Sequence, residues 1–242
     1  MEYLDHTQRI RFPSPGNANP WGMVAQGGNL SPGILMSAYE QGIFPWYDEP
    51  PIVWFSPDPR FVLYLDRFRL GKRLRRSLKS SSFVITFDQD FPAVIHRCRT
   101  TRLDGEGTWI TTDMEQGYRE LHRLGVAHSV EVWERGVLVG GLYGVATGAL
   151  FAGESMFTAA DNAGKAALVA LVGLLDSWSM PAIDCQSYTD NLARFGAVDI
   201  PRERFLEELA QHRAAPGIPQ DWRNEDAAAA FQRGMQLGAA HQ

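Results

Sequence analysis

Cysteine is nearly absent from this sequence, Cys98 and Cys185 being the only two. Two cysteines make no disulfide framework, and their spacing fits no zinc pattern. His6, His96, His122, His128, His212 and His241 also lack ligand spacing, so no metal site is expected. The opening M-E-Y-L-D-H is acidic and has no apolar signal core. The least charged stretch, Val137 to Gly153, is rich in glycine and reads as two buried strands rather than a membrane span. A reduced, cytoplasmic compartment and no membrane partner follow. Neither a G-x-S-x-G elbow nor a phosphate-binding P-loop is present. The net charge of −5 contains no bulk excess of cations to suggest nucleic acid.

What is present is uneven. Residues 67–79, R-F-R-L-G-K-R-L-R-R-S-L-K, carry seven cations and no acid. Leu70, Leu74 and Leu78 recur at helical spacing among them, so an amphipathic basic helix is expected. Seven cations without counter-charges favour phosphate binding over a merely solvated face. Seven tryptophans in 242 residues suggest that some rings do more than pack.

Turn residues dominate up to residue 30. Ser31-Pro32 is the expected cap and first turn of a helix reaching Gln41 and stopped by Gly42. Strands are expected over 52–55, 60–65 and 83–87, and a helix over 90–99 followed by a loop over 101–108. Thr112 and Glu115 form a candidate capping box for a helix ending near Gly125. S-V-E-V-W, R-G and V-L-V-G-G-L-Y-G then read as a hairpin, and T-G turns the chain into A-L-F-A-G-E-S-M-F. A buried helix over 162–178, a strand containing Asp184, helices near 188–195 and 201–212, and a helical or frayed tail complete the chain. The expected class is α+β, with a small N-terminal domain (1–60) and a larger mixed-sheet domain (61–242) of acetyltransferase-like, or GNAT-like, element order.

Three polar groups stand out on apolar strands. Glu154 is the only charge between Arg135 and Asp161. In M-P-A-I-D-C-Q-S-Y, strand alternation places Asp184 and Gln186 on one face and Ile183 and Cys185 on the other. Their plainest reading is a hydrogen-bonded strand end. With Glu154 on a neighbouring strand, they could converge on an apolar floor and hold an amine through charge-assisted hydrogen bonds. Trp46 in a proline-fixed loop and Trp109 after a glycine loop suit stacking on an unpaired base.

The chain resembles the leucyl/phenylalanyl-tRNA–protein transferases. The resemblance rests on G-G-N-L-S-P (27–32), Y-E-Q-G-I-F-P-W (39–46), W-F-S-P-D-P-R (54–60), E-G-T-W-I-T (106–111), H-S-V-E-V-W (128–133), G-G-L-Y-G (140–144), G-E-S-M-F (153–157) and I-D-C-Q (183–186), in order. It implies transfer of Leu or Phe, and less well Met, from aminoacyl-tRNA to protein N-termini, usually Arg or Lys, marking them for N-degron degradation. It implies a cytoplasmic monomer without metal or coenzyme. It places Asp184, Gln186 and Glu154 at the reaction centre, and Tyr39, Trp46, Trp109 and Tyr118 around the terminal adenosine. Leu142, Phe151 and Leu171 belong to the aminoacyl pocket. Arg69, Lys72, Arg73, Arg75, Arg76 and Lys79 would hold tRNA phosphates.

Two alternatives stand beside this. An acyl-CoA N-acyltransferase of the same fold would usually show a Q/R-x-x-G-x-G/A phosphate loop, and none is found. A non-catalytic RNA-binding module would leave Asp184 and Gln186 unexplained. Relative to the family pattern, Gly164 replaces a serine, Asn191 a histidine and Arg194 a serine, while Leu142 and Leu171 stand where Met and Phe are common. Arg194, if close to the acceptor, would repel a basic N-terminus.

Overall fold

Two sheets form in succession along the chain. The computed structural model describes residues 2–103, 108–213 and 218–240. After a 3₁₀ turn at Pro15–Asn17 come β1 (Met23–Gln26), α1 (Pro32–Tyr39), β2 (Phe44–Pro45) and β3 (Val53–Phe55). They make an antiparallel three-stranded sheet in the order β1-β3-β2. Pro45 lies on an edge strand, where its missing N–H interrupts no inner ladder. Helix α1 ends at Tyr39, short of the expected Gln41, and the chain reverses through Gly42 at φ +73°. Ser31 makes no side-chain cap; its hydroxyl instead accepts from the Leu4 N–H at 3.0 Å.

The larger sheet has seven strands in the order β10-β4-β9-β8-β7-β6-β5. Its elements are β4 (Arg60–Tyr64), α2 (Lys72–Lys79), β5 (Val84–Phe87), α3 (Phe91–Leu103), α4 (Thr112–Arg123), β6 (Ala127–Glu134), β7 (Val137–Thr147) and β8 (Leu150–Thr158). The chain continues through α5 (Ala163–Ser177), β9 (Ala182–Gln186), α6 (Asp190–Ala193), β10 (Val198–Ile200), α7 (Arg202–Arg213) and α8 (Ala227–Ala240). All neighbours are antiparallel except β8 and β9. Arg135 and Gly136, at φ +53° and +76°, supply the positive φ pair that a tight two-residue hairpin turn needs.

Both faces of this sheet are covered. α5 and α8 share one core with Val130, Leu142 and Phe151, while α1, α3 and α4 share the other with Tyr143 and Val145. That double covering explains why β7 reads apolar on alternate and intervening positions alike. Leu168, Val169, Leu171, Val172, Leu174 and Leu175 of α5 are all buried. Each contributes roughly 1.5–3 kcal/mol of apolar transfer before entropy is charged.

Three local expectations change. The residues 101–103 continue α3 instead of opening a loop, and 104–107 lie outside the described residues. Helix α4 is capped by Thr111, whose hydroxyl accepts from the Met114 N–H at 3.2 Å, rather than by Thr112. The C-terminal segment is a docked helix, not a frayed tail: α8 meets α5 so closely that a Cβ at Gly173 would lie 1.8 Å from the Ala230 carbonyl oxygen.

Candidate active site

The parallel pairing of β8 and β9 covers only Leu150↔Ala182, Phe151↔Ile183 and Ala152↔Asp184. Beyond it, Glu154 and Gln186 stand on strands no longer paired to each other, and a cavity of about 420 Å³ opens there. Two irregularities re-aim these side chains. On β8 the register passes from Gly144↔Gly153 to Tyr143↔Ser155, so Glu154 is the extra residue of a bulge. Gly144 is required opposite it, because a Cβ there would sit 2.2 Å from the Ala152 carbonyl oxygen. On β9 the register skips from Val62↔Asp184 to Phe61↔Gln186, leaving Cys185 as the extra residue, with Gln186 at φ +65°.

This second bulge overturns the alternation expected for I-D-C-Q. Ile183, Cys185 and Gln186 line the cavity, whereas Asp184 lines a small separate space with Arg60 and Tyr39. Asp184 accepts from Arg60 Nε at 2.8 Å and Nη2 at 2.6 Å, and from the Gln186 backbone N–H at 2.9 Å. Arg60 is 1% exposed and its ring neighbours are Phe44 and Phe205. Asp184 therefore acts on the cavity through the backbone of Gln186 and through its charge on Glu154.

Glu154, 7% exposed, is the centre of the polar floor. Gln186 Nε2 donates to Glu154 Oε1 at 2.6 Å, and the Tyr118 hydroxyl donates to Oε2 at 3.0 Å. Tyr39 and Tyr118 share a further hydroxyl–hydroxyl bond. Burial pushes the Glu154 carboxyl from 4.5 up to about 7, the two tyrosines pull it down, the Asp184 charge pushes it up again, and Gln186 pulls it down. Burial, reinforced by Glu154, holds both tyrosine hydroxyls protonated well above their usual range.

The remaining residues divide by position. Trp46 and Trp109 both face the cavity, with Trp46 47% exposed and edge-on to Phe55. A Tyr47–Thr111 hydroxyl contact at 3.2 Å ties their two loops together. Leu142 and Leu171 line the apolar wall with Met156, Leu168 and Ile183. Tyr39 and Tyr118 are buried beneath Glu154 instead of lining the cavity, and Phe151 is buried against Trp222 behind the wall. The cavity's rim includes Asn191, while Arg194 lies in a neighbouring recess with Arg69 and Arg73. Lys72, Arg73, Arg76 and Lys79 project from the exposed side of α2, whose Leu78 is buried; Arg75 is half-buried. Arg60 is the residue sequence reasoning passed over; a cation opening an otherwise apolar strand was its only signal. Among the described residues no group of three His, Cys, Asp or Glu is placed to hold a metal ion, and no helix is long and apolar enough to cross a membrane.

Family models and sequence relatives point to one family. Residues 62–210 match a family model described as leucyl/phenylalanyl-tRNA protein transferase, and residues 28–58 match the model of its N-terminal domain. A leucyl/phenylalanyl-tRNA–protein transferase from Solidesulfovibrio magneticus is 50% identical over 87% of this chain and 86% of its own. One from Stutzerimonas stutzeri is 49% identical over 88% and 96%. These relatives leave the coenzyme-A alternative without support. A functionally unknown conserved protein from Staphylococcus epidermidis aligns over 74% of this chain and 68% of its own at 10% identity, with a TM-score of 0.42.

Proposed function

The chain belongs to the leucyl/phenylalanyl-tRNA–protein transferase family, and from that premise we propose that the cavity between β8 and β9 takes the esterified 3′ end of an aminoacyl-tRNA and the N-terminus of an acceptor protein. The activity is transfer of Leu or Phe from tRNA to protein. The finer reading is that acceptors begin with Arg or Lys and are marked for N-degron degradation by a cytoplasmic monomer. The domain boundary near residue 60 and the GNAT-like ancestry of the larger sheet belong to the same reading; separate family models over 28–58 and 62–210 support the boundary.

The reaction is ester aminolysis. The acceptor α-amine forms a bond to the aminoacyl carbonyl carbon, the ester C–O bond breaks, and the ribose oxygen leaves carrying a proton. The ester is already activated, so holding the two reactants in register supplies much of the rate. Trp46 and Trp109 stack the terminal adenine. Leu142, Leu171, Met156 and Ile183 receive the Leu or Phe side chain. Glu154, as a carboxylate, accepts the hydrogen bond or proton of the incoming amine, which must be neutral to attack. Gln186, its NH₂ committed to Glu154, offers its carbonyl oxygen to the same amine. Asp184 is a positioning residue: paired with Arg60, it fixes the Gln186 backbone. The terminal ribose hydroxyl is well placed in such chemistry to pass the proton to the leaving oxygen. Arg69, Lys72, Arg73, Arg75, Arg76 and Lys79 hold the tRNA backbone without reading sequence.

The observation that carries this reading is the meeting of Glu154 and Gln186 with Trp46, Trp109 and an apolar wall in one cavity. The test is incubation with radiolabelled Leu-tRNA or Phe-tRNA and peptides beginning with Arg, Lys, Asp or Glu. Label should enter the Arg and Lys peptides. Absence of transfer to all four overturns the reading.

A further inference from the structure

A second recess adjoins the cavity. It is lined by Arg69 and Arg73 from the entry to α2, Asn162 and Lys165 from the start of α5, and Asn191 and Arg194 from α6 and its end. Four of these six are cations, and Asp161 is the one acid on the lining. Lys165 Nζ donates to Asn162 Oδ1 at 3.2 Å. Among the described residues, no carboxylate within ion-pair distance neutralises Arg69, Arg73, Lys165 or Arg194. Four cations against one acid, none of the four ion-paired, leave a net positive field that an anionic ligand would offset.

The recess is preformed. Phe68 stacks on Phe195 with ring centroids 5.8 Å apart, and the Arg69 N–H donates to the Phe195 carbonyl at 3.0 Å. Asn162 Nδ2 donates to Ser77 Oγ at 3.2 Å, tying the start of α5 to α2. The recess also adjoins the cavity through one shared lining residue. Asn191 lines both. Gly164, next to Lys165, packs against Met156, whose side chain lines the cavity; a Cβ there would lie 2.7 Å from its sulfur.

A donor whose adenine lies on Trp46 and Trp109 and whose ester lies at Glu154 must carry its first phosphodiester out over the rim. We propose that this recess is the subsite for the phosphodiester on the 5′ side of the terminal adenosine, with Lys165 and Arg194 as contacts beyond the α2 cations. The inference rests on the aminoacyl-tRNA reading of the cavity. Arginine forks and a lysine ammonium suit the unesterified phosphate oxygens. The same field repels acceptors beginning with Arg or Lys, so it assigns Arg194 to the donor and sends the acceptor to the Glu154 side.

The test uses the full chain and two short donors: phenylalanine esterified to adenosine, without phosphate, and phenylalanine esterified to the dinucleotide CpA, with one phosphodiester. The wild type should show a KM about tenfold lower for the dinucleotide, the scale of one charge-assisted hydrogen bond. Arg194→Gln and Lys165→Gln should each shrink that advantage threefold or more, and Arg194→Lys should restore most of it. The advantage of the dinucleotide should also shrink as salt rises in the wild type, and depend less on salt in each glutamine variant. An advantage unchanged in both glutamine variants overturns the subsite. So does an Arg194→Gln effect confined to KM for peptides beginning with Asp or Glu, which would place the acceptor there. Failure of Leu-tRNA and both short donors to react overturns the transferase reading itself, and this subsite with it.

Discussion

Arg60 and Asp184 face each other across the β4–β9 ladder through two parallel hydrogen bonds, at 2.8 and 2.6 Å, with both side chains almost wholly buried. Breaking one partner of such a pair leaves an uncompensated charge, which costs about 3–5 kcal/mol. Arg60→Ala should lower the urea midpoint accordingly. Asp184→Asn should lose activity because Gln186 shifts, and its pH–rate midpoint should move down, because the Asp184 charge that pushes the Glu154 carboxyl up is gone. A midpoint that stays in place would show that the Asp184 charge does not act on Glu154.

Glu154 carries a different expectation. Its carboxyl, raised mainly by burial to about 7, must be ionised to receive an amine, so kcat/KM should rise through about pH 7. That limb should vanish in Glu154→Gln. The stability effect has the opposite sense. A carboxyl with a raised folded pKa stabilises the fold below about pH 4.5, and this contribution of about 3 kcal/mol is lost as pH rises through about 7. Urea melts of wild type and Glu154→Gln should therefore diverge between pH 4.5 and 8, with the glutamine variant gaining at the alkaline end.

Tyr118 and Tyr39 act on that same group. Their hydroxyls lower the Glu154 pKa against the larger effect of burial. A hydrogen bond to a charged group is worth about 1.5–3 kcal/mol, or about one to two pH units. Tyr118→Phe should move the rising limb to higher pH by that much. A purely structural role would lower kcat without moving the midpoint.

Trp46 is nearly half exposed, so its truncation should cost little stability. Stacking of a base on an aromatic ring is worth about 1–3 kcal/mol. Trp46→Ala should raise the KM for aminoacyl-tRNA by about five- to a hundredfold while thermal unfolding stays near wild type. An unchanged KM would remove Trp46 from the adenine site.

The packing of α8 on α5 supplies a prediction remote from the cavity. A Cβ at Gly234 would lie 1.9 Å from the Val169 carbonyl oxygen. Gly234→Ala should destabilise by about 1–3 kcal/mol through overpacking, read as a lowered urea midpoint with an unchanged KM.

Much of the architecture was legible because its signals are local. The R-G hairpin turn, the buried helix after G-E-S-M-F and the basic amphipathic helix each follow from composition and period over a few residues. The cap of α4 falls on Thr111 and not Thr112; the two are chemically equal candidates, and only backbone geometry separates them. The docking of the tail is not legible in sequence because alanine and glycine look weak in isolation; the close approach of Gly173 to Ala230 turns their small size into a packing surface. The motif H-S-V-E-V-W marks the family, yet His128 is buried in it, stacked on Trp222 at 4.0 Å and bonded to Asp88 at 2.7 Å.

The sequence by itself determined the family, the transfer reaction and the identity of Glu154, Gln186, Trp46 and Trp109 as residues to watch, because those depend on residue type and order. Tertiary structure alone decided which way each side chain points. A bulge at Cys185 turns Asp184 to Arg60 and Gln186 to the cavity, a bulge at Glu154 aims its carboxylate at Gln186, and Tyr39 and Tyr118 become supports beneath that carboxylate rather than walls. An irregular register depends on how a strand pairs with its neighbour, Val62 with Asp184 in one bulge and Tyr143 with Ser155 in the other, and strand period read along one segment contains no record of it.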